Sequence, residues 1–347
     1  AEAIIVGILA AVVAGVLNFL STGGANGESL LLMAASSVTT ASVASLVLAS
    51  IMVAIVVFAR RVGIDPDNIA SPIAGMLGDF CTLGLLAFVA HLLFATRRDF
   101  QWVQVAILAG YAVFAVLCAR FASHTDCASK VLKEAWTPVI ASMMISSLGG
   151  LVLKSSIERF RGLSPFAPVM NGAGGNLAAV QASRISTDLH RNGHPGVMPY
   201  RRVSLRGPDL KQFLQSDVDA EPLTPSATFT ALLSQNRHAG SARVLISLSV
   251  PGALCFTTLI VHVRSGGTAW PNPSFLAIYI AAALVQVSFL FVAAHGIVAV
   301  LWRRGMDPDN AAIPYITSLG DLVGTLCLTA AFFVLEQIGG SPWPMSH

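Results

Sequence analysis

DPDNIASPIAGMLGD, residues 65–79, returns as DPDNAAIPYITSLGD at residues 307–321. Nine of the fifteen positions coincide at a constant offset of 242. Each copy follows an arginine pair, Arg60 and Arg61 or Arg303 and Arg304, that closes a long apolar run, and each copy opens another such run. The shared context makes chance a poor account and points to two homologous helical bundles within one chain.

The composition says what solvent those bundles face. Of 347 residues, 54% are hydrophobic and 11% charged, whereas a soluble domain carries about 25% charged residues. A soluble globule is excluded. Apolar runs at 3–21, 29–59, 66–94, 102–119, 135–153, 162–183, 244–261, 273–302 and 308–335 are nine candidate spans, long enough as helices for a hydrocarbon core of ~30 Å. The fold class is an all-α polytopic membrane protein, and the long runs at 29–59 and 273–302 call for tilt or extension into solvent. A net charge of +3 is too balanced for a nucleic-acid partner; the lipid bilayer is the expected partner. The cysteines, Cys81, Cys118, Cys127, Cys255 and Cys327, lack CxxC spacing and read as small packing residues.

Basic residues orient the chain. Assigning alternate loops to alternate sides puts 15 Lys and Arg on one side and six on the other, so the first side is expected to be cytoplasmic and His347 outside. The polar stretch at about 188–240 then reads as a solvated cytoplasmic loop. The two DPDN copies lie six spans apart, an even number, so the repeats are expected to run parallel. The second copy commands five spans and the first only three, so two further spans are expected ahead of Ala1. The opening residues enter an apolar run without a basic leader region and do not read as a signal peptide.

Asp79 and Asp321 are the only acids well inside an apolar run. A carboxylate there is costly and by default marks an ion path. Each stands about 21 Å of helix rise beyond its DPDN start. Repeat equivalence brings both towards one axis, as a cation site requires; the alternative is a protonated carboxyl bonding helix to helix. Thr82 near Asp79, and Thr317 and Thr325 near Asp321, make small polar faces at helical spacing. The DPDN segments suit N-capping, while Asp65, Asp67, Asn68, Asp307, Asp309 and Asn310 also form a candidate pore entrance that concentrates cations. The NGAGGN segment (171–176), preceded by Pro165 and Pro168, is expected to break its helix beside the path, with Gly175 and Asn176 offering neutral oxygen. The glycine spacing fits no nucleotide motif, and no cofactor is expected.

Taken together, PVMNGAGGNLAAVQASRIST (168–187) and the two DPDN copies resemble the MgtE-like divalent-cation transporters, in their double-repeat solute carrier family 41 branch. The resemblance implies magnesium transport through two parallel five-helix repeats around a pseudo-two-fold pore, joined by a linker helix. On that pattern, residues 1–96 hold the last three helices of the first repeat. Residues 97–127 hold the linker, and residues 128–338 the second repeat. It also implies that Asp79, Asp321 and Asn176 line the pore. Mg²⁺ is then the transported ion, with Na⁺ or H⁺ as candidate coupling ions, at the plasma membrane and in a monomer whose two repeats replace a dimer. Mg²⁺ sheds water reluctantly and takes one or two carboxylates, which suits this set; Zn²⁺ or Cu⁺ would call for Cys or His.

Two other classes compete. An intramembrane prenyltransferase uses Asp-rich segments to hold Mg²⁺-diphosphate, but no paired DxxxD motif is present and Asp79 and Asp321 lie too deep. A cation-sensing membrane scaffold would bind Mg²⁺ without flux.

Overall fold

The structure is a computed structural model and describes residues 2–22, 27–63, 67–95, 101–122, 124, 136–194, 196 and 237–340. Among these residues there is no strand, and they form nine α-helices. They are α1 (Glu2–Thr22), α2 (Gly27–Val62), α3 (Asp67–Ala95), α4 (Gln101–Ala122), α5 (Trp136–Arg159), α6 (Ala167–Asn192), α7 (Arg237–Arg264), α8 (Pro273–Arg303) and α9 (Pro308–Gln337). Six of them, α2, α4, α5, α7, α8 and α9, are long and apolar enough to cross a membrane. The chain is an all-α polytopic membrane protein. At 36 residues, or about 54 Å, α2 exceeds a hydrocarbon core as its sequence requires.

Helix ends follow local chemistry. Asn272 caps α8 by accepting from the Ser274 N–H at 3.1 Å, with Pro273 in the first turn. Asp307 caps α9 in the same way, accepting from the Asp309 N–H at 3.0 Å, and Asn310 Nδ2 adds a bond to its other oxygen at 3.2 Å. The capping reading of the second DPDN segment therefore holds.

Two expectations need correction around α6. The apolar run 162–183 is not the helix, which spans Ala167–Asn192. Residues 160–166 are turns, pinned by buried Leu163 and Phe166, and Pro168 sits in the first helical turn, where its missing N–H costs nothing. The polar loop expected from about 188 yields its first residues to the same helix, and its last, 237–240, to α7. Polar composition alone does not end a helix once it leaves the apolar layer.

Helix α6 is also the one least suited to lipid, and it sits at the centre. It packs against α9, α8, α3 and α7, burying Gln181 and Ser186 with Ala178 and Ala182. The group α1–α3 packs in sequence order, and α3 against α6 is its main contact with the rest.

Two apolar clusters fill the α6–α9 bundle. Towards the DPDN end lie Ala178, Ala182, Leu290, Phe291, Val298, Ala312 and Ile316. Towards the other end lie Phe166, Met170, Phe275, Tyr279, Leu328 and Phe332, where Phe166 meets Phe275 edge-on at 4.9 Å. On α6, α8 and α9 alike, the buried residues between the clusters are small or polar: Gly174 and Gly175, Gln286, and Ser318, Gly320, Gly324 and Thr325. The bundle thus carries a polar layer at mid-depth.

Candidate functional site

Helices α6 and α9 cross within that layer, with little side chain between them. A Cβ on Gly320 would stand 2.8 Å from Gly175 Cα, and one on Gly324 would stand 2.4 Å from Asn171 Oδ1. Small residues let membrane helices approach to this distance, where dispersion and polar contacts replace a hydrophobic driving force. Around the crossing, Asn171 Nδ2 donates to Thr325 Oγ1 at 3.0 Å. Gln286, 1% exposed, donates from Nε2 to the carbonyls of Met170 at 3.1 Å and Gly320 at 3.3 Å.

This geometry corrects the reading of the glycine-rich segment. Residues 171–176 are continuous α-helix, not broken backbone. The glycines remove side-chain bulk for α9 and the Gln286 amide rather than freeing carbonyls.

Asp321 stands about 20 Å of helix rise from Pro308, near the middle of α9. Ser146 Oγ on α5 donates to its Oδ2 at 2.8 Å. The residue is half-buried and lines two cavities. One, of about 490 Å³, is bounded by Ser37 and Thr40 of α2, Thr82 of α3, Ser164, and Asn171 of α6. The other, of about 620 Å³, is bounded by α1, by Ser142 to Ser147 of α5 and by Ile313 to Ser318 of α9. The second cavity uses the DPDN-proximal halves of its helices, and the first uses the opposite halves of α3 and α5. The two cavities are therefore stacked along the bundle, with Asp321 shared between them.

Of the expected site residues, Thr82 of α3 meets Asp321 of α9 across one cavity, and Thr317 meets it in the other. Thr317 Oγ1 donates to Ile313 O at 3.0 Å, and Thr82 Oγ1 bonds Gly78 O in the same intrahelical way. Thr325, 1% exposed, lines neither cavity and accepts from Asn171 instead. Gly175 faces Thr317 backbone. Asn176 is half-buried on α6 and lines neither cavity. Asp65 lies outside the described residues, as do the side chains of Asp67, Asn68 and Asp79; Asp79 itself is in α3, three residues before Thr82. At the end of α9, Asp307, Asp309 and Asn310 are at the surface, with Asp307 and Asp309 beside His190.

The MgtE family, described as divalent cation transporters, matches residues 1–89 and 167–331. The chain belongs to the MgtE family. Solute carrier family 41 member 2 of Xenopus laevis is 38% identical over 340 residues, which are 97% of this chain and 57% of that protein. Solute carrier family 41 member 3 of Mus musculus is 38% identical over 335 residues, 96% of this chain and 64% of the relative. Human solute carrier family 41 member 2 is 36% identical over 340 residues, with 97% and 56% covered. The chain thus spans little more than half the length of these relatives. No solved structure gives a significant match.

Within this MgtE-family bundle the sequence reading missed three polar residues. Asn171 opens the motif whose other asparagine was singled out, and it is Asn171 that shares a cavity with Asp321. Gln286 is an amide inside the apolar run 273–302, a signal that was present but had no repeat partner to raise it. Ser146 carried no signal, since serine is common in membrane helices.

Proposed function

We propose that this MgtE-family chain moves magnesium across a membrane, with the ion passing from one cavity to the other at Asp321. The observation that carries the reading is that one carboxylate at mid-depth lines both cavities. An ionised group at that depth costs about 2.5–3.5 kcal/mol in the helix centre, and a divalent cation offsets that cost where a hydrocarbon neighbour does not. Mg²⁺ keeps most of its waters and takes one or two carboxylates. The hydroxyls of Ser37, Thr40, Thr82 and Ser164 and the Asn171 amide on one side, with Ser142, Ser147 and Thr317 on the other, suit a hydrated ion. Asp79, the repeat counterpart, supplies a second carboxylate in this reading. The DPDN acids at 65, 67, 307 and 309 raise cation concentration at the mouth.

The wider scheme is part of the same proposal. Residues 1–96 and 128–338 act as parallel repeats joined by 97–127 in a monomer. The DPDN ends face the cytoplasm and the C-terminus lies outside, at the plasma membrane. Na⁺ and H⁺ are the candidate coupling ions.

The experiment is Mg²⁺ flux into proteoliposomes for Asp321→Asn, Asp79→Asn and the double variant at matched incorporation, with and without a Na⁺ gradient. Loss of flux in each single variant, with little added by the second, is expected of two groups sharing one ion. Near-normal flux in both single variants overturns the assignment.

A further inference from the structure

Away from the cavities, at the DPDN end of α9, three potential ligands from two helices converge. His190 Nε2, in the last turn of α6, lies 3.1 Å from Asp307 Oδ1 and 3.7 Å from Asp309 Oδ2. One ligand atom from each of the three residues falls within 4.8 Å of the others, the single such group of His, Cys, Asp and Glu among the described residues. We propose that His190, Asp307 and Asp309 form a binding site for a divalent transition metal, bridging the end of α6 to the start of α9.

The geometry fits one small ion. Ligand atoms about 2.1 Å from a common metal stand about 3.0–4.2 Å apart, and both imidazole-to-carboxylate separations already lie in that range. The third separation, between the two carboxylates, is no more than 4.8 Å. Two of the three ligands are held in place without the metal. The imidazole rests edge-on against the fully buried Trp302, at 5.0 Å and 82°, and Asp307 is fixed as the cap of α9. Three protein ligands leave a coordination position for water.

The donor set also selects the metal. An imidazole nitrogen with two carboxylates suits Zn²⁺, Co²⁺ or Mn²⁺, whereas Mg²⁺ takes oxygen ligands and keeps its water. The site therefore separates a transition metal from the proposed cargo at the mouth of the same helix, about 20 Å of rise from Asp321. It does not rest on the transport reading, because binding is measured on the purified chain without flux.

The test is titration of the purified full chain in lipid nanodiscs with Zn²⁺ alone, then with Zn²⁺ against millimolar Mg²⁺. One Zn²⁺ equivalent that Mg²⁺ does not displace is expected, weakened at least about tenfold in His190→Gln. A second arm uses Co²⁺ with His190→Cys, where a thiolate-to-metal charge-transfer band should appear and fade when Asp309→Asn is added. This gain of signal decides the question even if His190→Gln lowers the yield. Wild-type Zn²⁺ stoichiometry and affinity in His190→Gln, or a Co²⁺ band indifferent to Asp309→Asn, overturns the proposal.

Discussion

Gly175 and Gly320 meet backbone to backbone, so that a single methyl on Gly320 would sit 2.8 Å from the Gly175 Cα. No flexible side chain lies between them to yield. Helices α6 and α9 would have to separate, and both are needed to shape the cavity that Asn171 shares with Asp321.

Gly320→Ala should therefore lower the stability of the detergent-solubilised protein by about 1–3 kcal/mol, the usual cost of overpacking. Gly296→Ala on α8 is the control, since a Cβ there meets nothing within 4 Å, and it should be neutral or mildly stabilising because alanine is the better helix former. Thermal unfolding of the two variants side by side decides it; equal melting temperatures would mean the crossing is looser than described.

Ser146 donates to Asp321 from a different helix, and on the proposed reading it orients the carboxylate. An interhelical hydrogen bond in membranes averages about 0.6 kcal/mol, so Ser146→Ala should reduce Mg²⁺ flux only about threefold, far less than Asp321→Asn. A loss as large as that of Asp321→Asn would show that the serine itself contacts the ion.

Thr317 and Thr82 line different cavities. In a chain whose native cysteines are replaced, Thr317→Cys should react with a membrane-impermeant thiol reagent from the DPDN side only, and Thr82→Cys from the opposite side only. Mg²⁺ should slow both reactions. Labelling of both positions from one side would remove the division at Asp321.

Gln286 is held by two long bonds, yet its Oε1 has no hydrogen-bond partner and is buried. The bonds contribute about 1 kcal/mol together, and the orphan oxygen costs about 1–3 kcal/mol. Gln286→Met, close in volume, should leave stability unchanged or raise it, while Gln286→Ala should lose about 2 kcal/mol or more by opening a cavity. Equal destabilisation by both changes would mean that the amide bonds outweigh the orphaned oxygen.

The helices were legible because lipid enforces long apolar runs and charges mark their ends: the expected 273–302 and 308–335 became Pro273–Arg303 and Pro308–Gln337. Asp321 was legible because an acid inside such a run is expensive. Asn171 was not, because what separates it from Asn176 is the direction each takes from one helix, and that depends on where α9 lies. The segment 171–176 misled for a related reason. Glycine permits both unwinding and close approach, and the choice belongs to Gly320, far along the chain. His190 was passed over inside an apparently solvated loop, since only the fold sets it beside Asp307.

The placement of Asp321 between two cavities also shapes the electric field. Across an unbroken slab of ~30 Å the membrane voltage falls gradually. If both cavities fill with water they conduct, and the drop would then concentrate between Thr317 and Thr82, where the Asp321 carboxylate stands. Moving one elementary charge through 100 mV is worth about 2.3 kcal/mol, hence about twice that for a doubly charged ion. On the proposed transport reading, most of this work would be done over the short step past a single side chain, and a membrane potential would act directly on an ion passing Asp321.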